Sequence, residues 1–285
     1  MSLTPTAGAL PAGVGIDFDP SLLPEGEHAG SPPLWERPWF QRTVVWGGLV
    51  VAWQIVAMIA GSFFLPAIPD IARGFWRALT NGDFAGVLTS YRQMLIGFGL
   101  AVLIGVPIGI LLGVSAVFRA AFGWIVDVLF VTSLVALLPF LILLAGTDLE
   151  FRIVVVFLFA IFYLIMNPAA GVRGVDPGLR EMAASYRASR WRMARSVIAP
   201  SVLPFILAGM RLGMGQAIQG MIVAELWISA GTGRRLSALG LARKLGEFFA
   251  LAAVIVILGV LLIQLFFWLQ RRFTPWASEL QGISR

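Results

Sequence analysis

Apolar residues along this chain are gathered into long runs, not into short alternating or one-sided stripes. Six runs reach spanning length, at about residues 43–64, 94–118, 121–145, 153–170, 204–228 and 248–268. Roughly 20 apolar residues, rising about 1.5 Å each as a helix, cross a hydrocarbon core of about 30 Å. In lipid such runs satisfy their own backbone polar groups only as helices. The pattern therefore predicts an all-α polytopic membrane protein with six transmembrane helices. Between the first two runs, residues 65–93 are too long for a turn and too polar to span. There Asp70 is placed to cap a short amphipathic helix that stops at Asn81 and Gly82 and lies at the outer membrane surface. Between runs four and five comes a basic connector with six arginines from Arg173 to Arg195. Asp176 and Pro177 read as the cap and first position of a short helix, and the spacing puts Met182, Ala183 and Tyr186 on one face of it.

An even number of spans puts both termini on one side of the membrane. With the termini inside, twelve arginines fall in the inner loops and tails and eight cations in the outer ones, among them Arg234, Arg235, Arg243 and Lys244. That majority sets the orientation by the positive-inside rule, although the last outer loop runs against it.

Inside the spans, glycines recur every fourth residue at Gly105, Gly109 and Gly113, and small residues do so at Gly209, Gly213 and Ala217. Small residues at this spacing let helix backbones approach closely in lipid, where packing drives association. Asp127 and Arg211 are ionisable residues within spans, each costing about 2.5–3.5 kcal/mol at the membrane centre. Counting about 1.5 Å per residue from the inner ends places both about 10 Å deep, so they are expected to form an ion pair or a hydrogen-bonded cluster between spans three and five, the alternative being that each faces an aqueous vestibule on its own. Glu225 ends span five near the outer face and reads as an interfacial charge. Thr132, Ser133, Asn167, Gln216 and Gln219 are the polar side chains available to a path between spans three, four and five. Each has interhelical hydrogen bonding as its alternative role. Pro139 is expected to break span three.

Composition agrees, at 59% hydrophobic and 13% charged residues. There is no cysteine and a single histidine, His28, which removes disulfides and thiolate chemistry. A pI near 10.9 in a membrane chain points to inner loops facing anionic lipid and a partner, not to nucleic acid. Residues 1–35 are Gly-, Pro- and Ala-rich and acidic without periodicity, which predicts a disordered inner tail. No basic start with an early apolar core precedes the first run, so no cleaved signal is expected. A transmembrane domain over 36–275, with its loop at 173–200, would be followed by a short inner tail at 276–285. The chain has no phosphate-cradling G-x-x-x-x-G-K-[ST] sequence, so it carries no ATPase site and no catalytic residues of its own.

The connector also carries a resemblance. Glu181, Ala183, Val197, Pro200 and Pro204, in REMAASYRASRWRMARSVIAPSVLP, are similar to the signature loop of binding-protein-dependent ABC importer permeases. The register from Glu181 to Val197 to Pro200 matches without a gap. Met182 stands where the family pattern has Ala and Arg187 where it has Gly. Arg187 either tolerates the turn that glycine serves there or the turn is rebuilt as continuous helix. PSVLPFILAGMRLGMGQA, IVAEL and the stretch from Leu65 to Gly97 resemble the subgroup that takes nitrate, sulfonates, taurine and bicarbonate. The resemblance implies the type I importer permease fold in a bacterial inner membrane, with a cytoplasmic coupling helix between helices four and five. It implies Glu181, Ala183, Tyr186 and Arg187 as the contact to a separate ATPase, which would bind ATP and Mg; the chain itself needs no cofactor. It further implies two ATPase subunits, an external solute-binding protein, and a second copy of this chain. An ion-coupled secondary transporter would call for paired half-repeats and intramembrane relays, which are not visible here; a membrane scaffold is the other alternative class.

Overall fold

The computed structural model describes residues 37–61, 64–187 and 189–273, so the tails expected at 1–35 and 276–285 lie outside the described residues. All regular structure among the described residues is helical. The chain divides into two compact units, residues 1–53 and 54–285. The boundary falls inside α1 (Pro38–Ala60), whose apolar residues are spread round the helix, as a span in lipid requires.

The second unit continues through α2 (Ile68–Thr80), α3 (Asp83–Val114), α4 (Ala116–Val131), α5 (Leu134–Ala145), α6 (Leu149–Arg173), α7 (Pro177–Ser185), α8 (Arg190–Met193), α9 (Ala199–Trp227), α10 (Gly231–Leu241) and α11 (Leu245–Phe273). Five helices, α1, α3, α6, α9 and α11, are each long and apolar enough to cross a membrane. The pair α4 and α5 passes the same test only together, bent by 102°, which makes six spans when the pair is counted as one.

That break corrects the sequence reading, because it falls at Thr132 and Ser133 and not at Pro139. Thr132 and Ser133 are both extended, and the Thr132 hydroxyl donates to the Val128 carbonyl at 2.8 Å. Hydroxyl side chains offer the backbone such local partners and so favour helix ends. Pro139 lies inside α5, close enough to its start that the carbonyl left without a donor belongs to the first turn, where the loss is mild. The α2 boundary is corrected too. The cap position is Ala67, Pro69 sits in the opening turn, and Asp70 pairs instead with Arg73 at 2.7 Å. Proline supplies the helical φ without wasting a donor, so the helix begins earlier than a capping Asp70 would allow. At its far end the turn is as expected, with Asn81 closing α2 and Gly82 at φ +81° leading into α3.

α6 is the centre of the second unit, and the two small-residue stripes explain why. Gly97, Gly105, Gly109 and Gly113 of α3 lie against Ile153, Leu164, Ile165 and Val172 of α6. From α9, Gly209 lies on Asn167 and the Tyr163 carbonyl, Gly213 faces the Ala160 carbonyl, and Gly220 lies on Phe159. A Cβ on Gly105 would stand 2.9 Å from the Leu164 Cβ, and one on Gly209 would stand 2.9 Å from the Asn167 Cβ. Without those hydrogen-only positions the helices would have to separate, giving up the van der Waals contact that holds them in lipid. Val155, Ala160 and Leu164 are wholly enclosed as a result. Elsewhere α2 is pinned to the start of α11, where a Cβ on Gly74 would meet the Gly246 carbonyl oxygen at 2.6 Å and Arg77 pairs with Glu247 at 3.0 Å.

Candidate functional site

The signature loop follows α6 directly. Asp176 Oδ1 accepts from the Gly178 amide at 2.7 Å, so the expected cap opens α7 with Pro177 as its first helical residue. Leu179, Met182 and Tyr186 follow at spacings that share one face, and they are 41%, 51% and 81% exposed. Glu181 is exposed and, by helical spacing, projects away from that face. Ala183 lies within α7. The helix ends at Ser185, whose hydroxyl donates to the Glu181 carbonyl at 3.0 Å.

Arg187 then adopts φ +49°, the left-handed conformation, before a new helical turn starts at Arg190. The two short helices therefore stay separate, and the arginine takes the backbone shape that glycine would take without strain. That choice costs about 1–2 kcal/mol in an L-residue. Beyond it, Ala194–Ile198 form a π-helical turn that leads into α9. Pro200 in the first turn of α9, and Pro204 one turn later, each remove a backbone donor; a wider turn is one way a helix absorbs such losses.

The candidate path residues separate in the structure. Thr132 and Ser133 occupy the bend between α4 and α5. Asn167 is half-buried at the α6–α9 crossing, where its amide donates to the Tyr163 carbonyl at 2.9 Å and its side chain fills the space beside Gly209. Gln216 is half-buried on α9, and Gln219 is exposed.

The pair expected between Asp127 and Arg211 is not formed among the described residues. Asp127 is exposed on α4, whereas Arg211 is half-buried with its guanidinium 5.7 Å from the centroid of the Phe267 ring. The reason is rotational: α4 packs chiefly against α3 while α9 packs chiefly against α6. Equal depth does not bring two side chains to one side of a helix.

A buried charge network stands at the opposite end of the unit, at a residue that sequence reasoning treated as interfacial. Glu225 is 1% exposed. Its Oε2 accepts from the Gly233 amide at 3.0 Å, and its Oε1 lies 3.9 Å from Arg152 Nη1. The carboxylate thus caps α10 from outside that helix, satisfying one of its free N–H groups and meeting the positive end of its dipole. Gly231, at φ +50°, and Gly233 are what let α10 start so close, since a Cβ on Gly231 would lie 2.8 Å from the Glu225 carboxyl carbon. Arg152 also reaches Gln93 of α3, and Ser90 of α3 shares a 2.8 Å hydrogen bond with Thr232 of α10. Arg235 of α10 pairs with Asp83 of α3 at 2.9 Å. Four helices, α3, α6, α9 and α10, are joined here by polar contacts. The sequence signal was the Gly-Thr-Gly that follows a helix-terminal glutamate by a few residues, which is the composition of a close backbone approach.

Comparison with known proteins agrees with this architecture. Residues 105–279 match the model of the binding-protein-dependent transport system inner membrane component family. A probable ABC transporter permease protein of Brucella abortus is 31% identical over 77% of this chain and 88% of its own length. The taurine transport system permease protein TauC of Escherichia coli is 31% identical over 82% of this chain and 88% of its own. The putative aliphatic sulfonates transport permease protein SsuC of Bacillus subtilis is 28% identical over 86% of this chain and 90% of its own. A family match that covers more than half of the chain, on an all-helical fold with a capped amphipathic helix between its fourth and fifth spans, makes this chain a member of the binding-protein-dependent inner-membrane permease family of ABC transporters.

Proposed function

We propose that this permease imports a small anion, of the sulfonate, taurine or bicarbonate kind, in an assembly with a second copy of itself, two separate ATPase subunits and an external solute-binding protein. The relatives named for taurine and sulfonates, together with a bicarbonate transport system permease protein of Synechococcus that is 26% identical over 64% of this chain, support that solute class. The observation that carries the coupling role is α7 and the turn that follows it: the helix residues Leu179 and Met182, with Tyr186 just beyond its end, are apolar and exposed. A monomeric chain gains nothing by exposing them, whereas an ATPase surface cleft would cover them. Glu181, Ala183, Tyr186 and Arg187 form the contact, with the left-handed Arg187 setting the angle between the two short helices of the loop. Both termini and this loop are cytoplasmic.

In this reading, ATP-driven closure of the ATPase pair draws the two loops together, and rigid-body rocking of the spans alternates access. Thr132 and Ser133 sit at the bend of a broken span, where non-helical backbone at depth is tolerated beside a water-filled path. Gln216 and Gln219 supply a separate polar stretch on α9, and Asn167 packs α6 against α9.

The test is Glu181→Arg in the reconstituted complex. Solute-stimulated ATP hydrolysis should fall to the basal rate while membrane insertion is unchanged, because the substitution inverts a charge at the contact. Undiminished stimulation would refute the coupling role. Native mass spectrometry of the purified complex should find two copies of this chain; a single copy would refute the homodimer.

A further inference from the structure

The four ion pairs among the described residues, Asp70–Arg73, Arg77–Glu247, Arg152–Glu225 and Asp83–Arg235, all lie at the α2 and α10 end of the second unit. The end that carries the signature loop is different. There Phe267 of α11 has Arg271 from one turn further along the same helix, with its guanidinium 4.3 Å from the ring centroid, and Arg211 of α9 at 5.7 Å. Neither arginine has a carboxylate in ion-pair range among the described residues. Two like charges are thus gathered onto one aromatic ring, one of them half-buried inside a span. The ring offsets only about 0.5–1 kcal/mol for each cation at an exposed site, which leaves both charges without a counter-ion among the described residues. An oxyanion supplies that counter-charge, and guanidinium forks match phosphate oxygens two at a time.

The surroundings identify the source of that oxyanion. Arg271 lies in the last turn of α11, at the end of that span, so its guanidinium stands at headgroup depth, with Arg211 inside the α9 span. Round the helix from Arg271 are Trp268 and Leu265, 60% and 48% exposed. A tryptophan beside a guanidinium is the composition of a membrane interface, and an apolar flank serves an acyl chain but does nothing for a soluble anion. We propose that Arg211 and Arg271, spaced by Phe267, bind the phosphate of an anionic phospholipid in the leaflet on the signature-loop side. The site does not depend on the nature of the transported solute or on the ATPase contact. A lipid held there would bridge α9, which leaves the signature loop, to α11.

The experiment uses the full chain in phosphatidylcholine nanodiscs containing increasing fractions of phosphatidylglycerol, with retained lipid read by native mass spectrometry. The wild-type protein should retain phosphatidylglycerol selectively, and a wild type without that preference overturns the proposal whatever the variants do. Arg211→Gln and Arg271→Gln should each weaken retention about fivefold, the effect of one cation near an anionic surface. The double replacement by lysine keeps both charges but loses the planar fork and the stacking. Retention by the lysine pair equal to wild type would mean diffuse attraction and would overturn a built site; the expected result is a loss of at least about threefold. Millimolar inorganic phosphate should not reproduce the thermal protection given by phosphatidylglycerol in lipid that is wholly zwitterionic. If it does, the lipid assignment fails.

Discussion

Neutralising Glu225 should destabilise this protein through Arg152, and the size of the effect can be worked from the geometry. The two charged groups are 3.9 Å apart, and their side chains are 20% and 2% exposed. At an effective dielectric constant of about 20, unit charges at that separation attract by about 4 kcal/mol. Glu225→Gln keeps an oxygen for the Gly233 amide, so the change falls mainly on the charge contact and on the cost of leaving Arg152 buried and unpaired. Breaking one side of a buried pair costs about 3–5 kcal/mol. Removing both charges costs much less than twice that, because no stranded ion remains. The assay is a double-mutant cycle on the purified protein in nanodiscs, using Glu225→Gln, Arg152→Gln and the double variant. Each single variant should lower the melting temperature by about 6–20 °C, at about 2–4 °C per kcal/mol for a chain of this size. The coupling energy should reach about 2–3 kcal/mol, at the upper end for residues in contact. The same cycle at Asp127 and Arg211 serves as the comparison and should be additive within about 0.5 kcal/mol. Additivity at Arg152 and Glu225, or strong coupling at Asp127 and Arg211, would refute the assignment of the buried charge network to the α10 end.

Three further outcomes follow from the packing and the loop. Arg187→Gly should leave solute-stimulated ATP hydrolysis intact, because glycine adopts φ +49° freely, whereas Arg187→Val should abolish it, because a β-branched residue is strongly disfavoured there; equal activity of the two would refute the turn. Gly105→Leu forces side-chain atoms into Leu164 and Ile161 and should cost more than the about 1–3 kcal/mol of ordinary overpacking, while Gly99→Ala, with nothing within 4 Å, should leave the melting temperature unchanged. Tyr91→Phe removes the 2.6 Å hydrogen bond from its hydroxyl to the Ile255 carbonyl of α11 and should lower stability by about 1 kcal/mol, read as a shift of a few degrees in the same melt.

What could be read from the chain alone is what depends on neighbours in sequence. Spans follow from hydropathy summed over about 20 residues, and α1, α6, α9 and α11 lie over four of the apolar runs, extending a few residues past them at most ends. The Asp176 and Pro177 cap, the end of α2 at Asn81 and Gly82, and the spacing of the glycine stripes are local for the same reason. So was the signature loop, although whether Arg187 kept its turn was decided by the backbone itself. Tertiary structure decided the contacts that depend on rotation about a helix axis and on which helix is the neighbour. Asp127 and Arg211 count to the same depth but look to different helices, so counting residues from the membrane edge could not pair or separate them. Glu225 shows the converse. By position it is the end of a span facing water, yet α10 folds back so that its amide meets the carboxylate, with Arg152 brought in from α6, and the residue becomes one of the most enclosed among the described residues. The α4–α5 bend lies between these cases, because Pro139 and the Thr132–Ser133 pair are both local break signals. Proline near the start of a short helix forfeits little, while two hydroxyl residues in extended conformation close one helix and open the next.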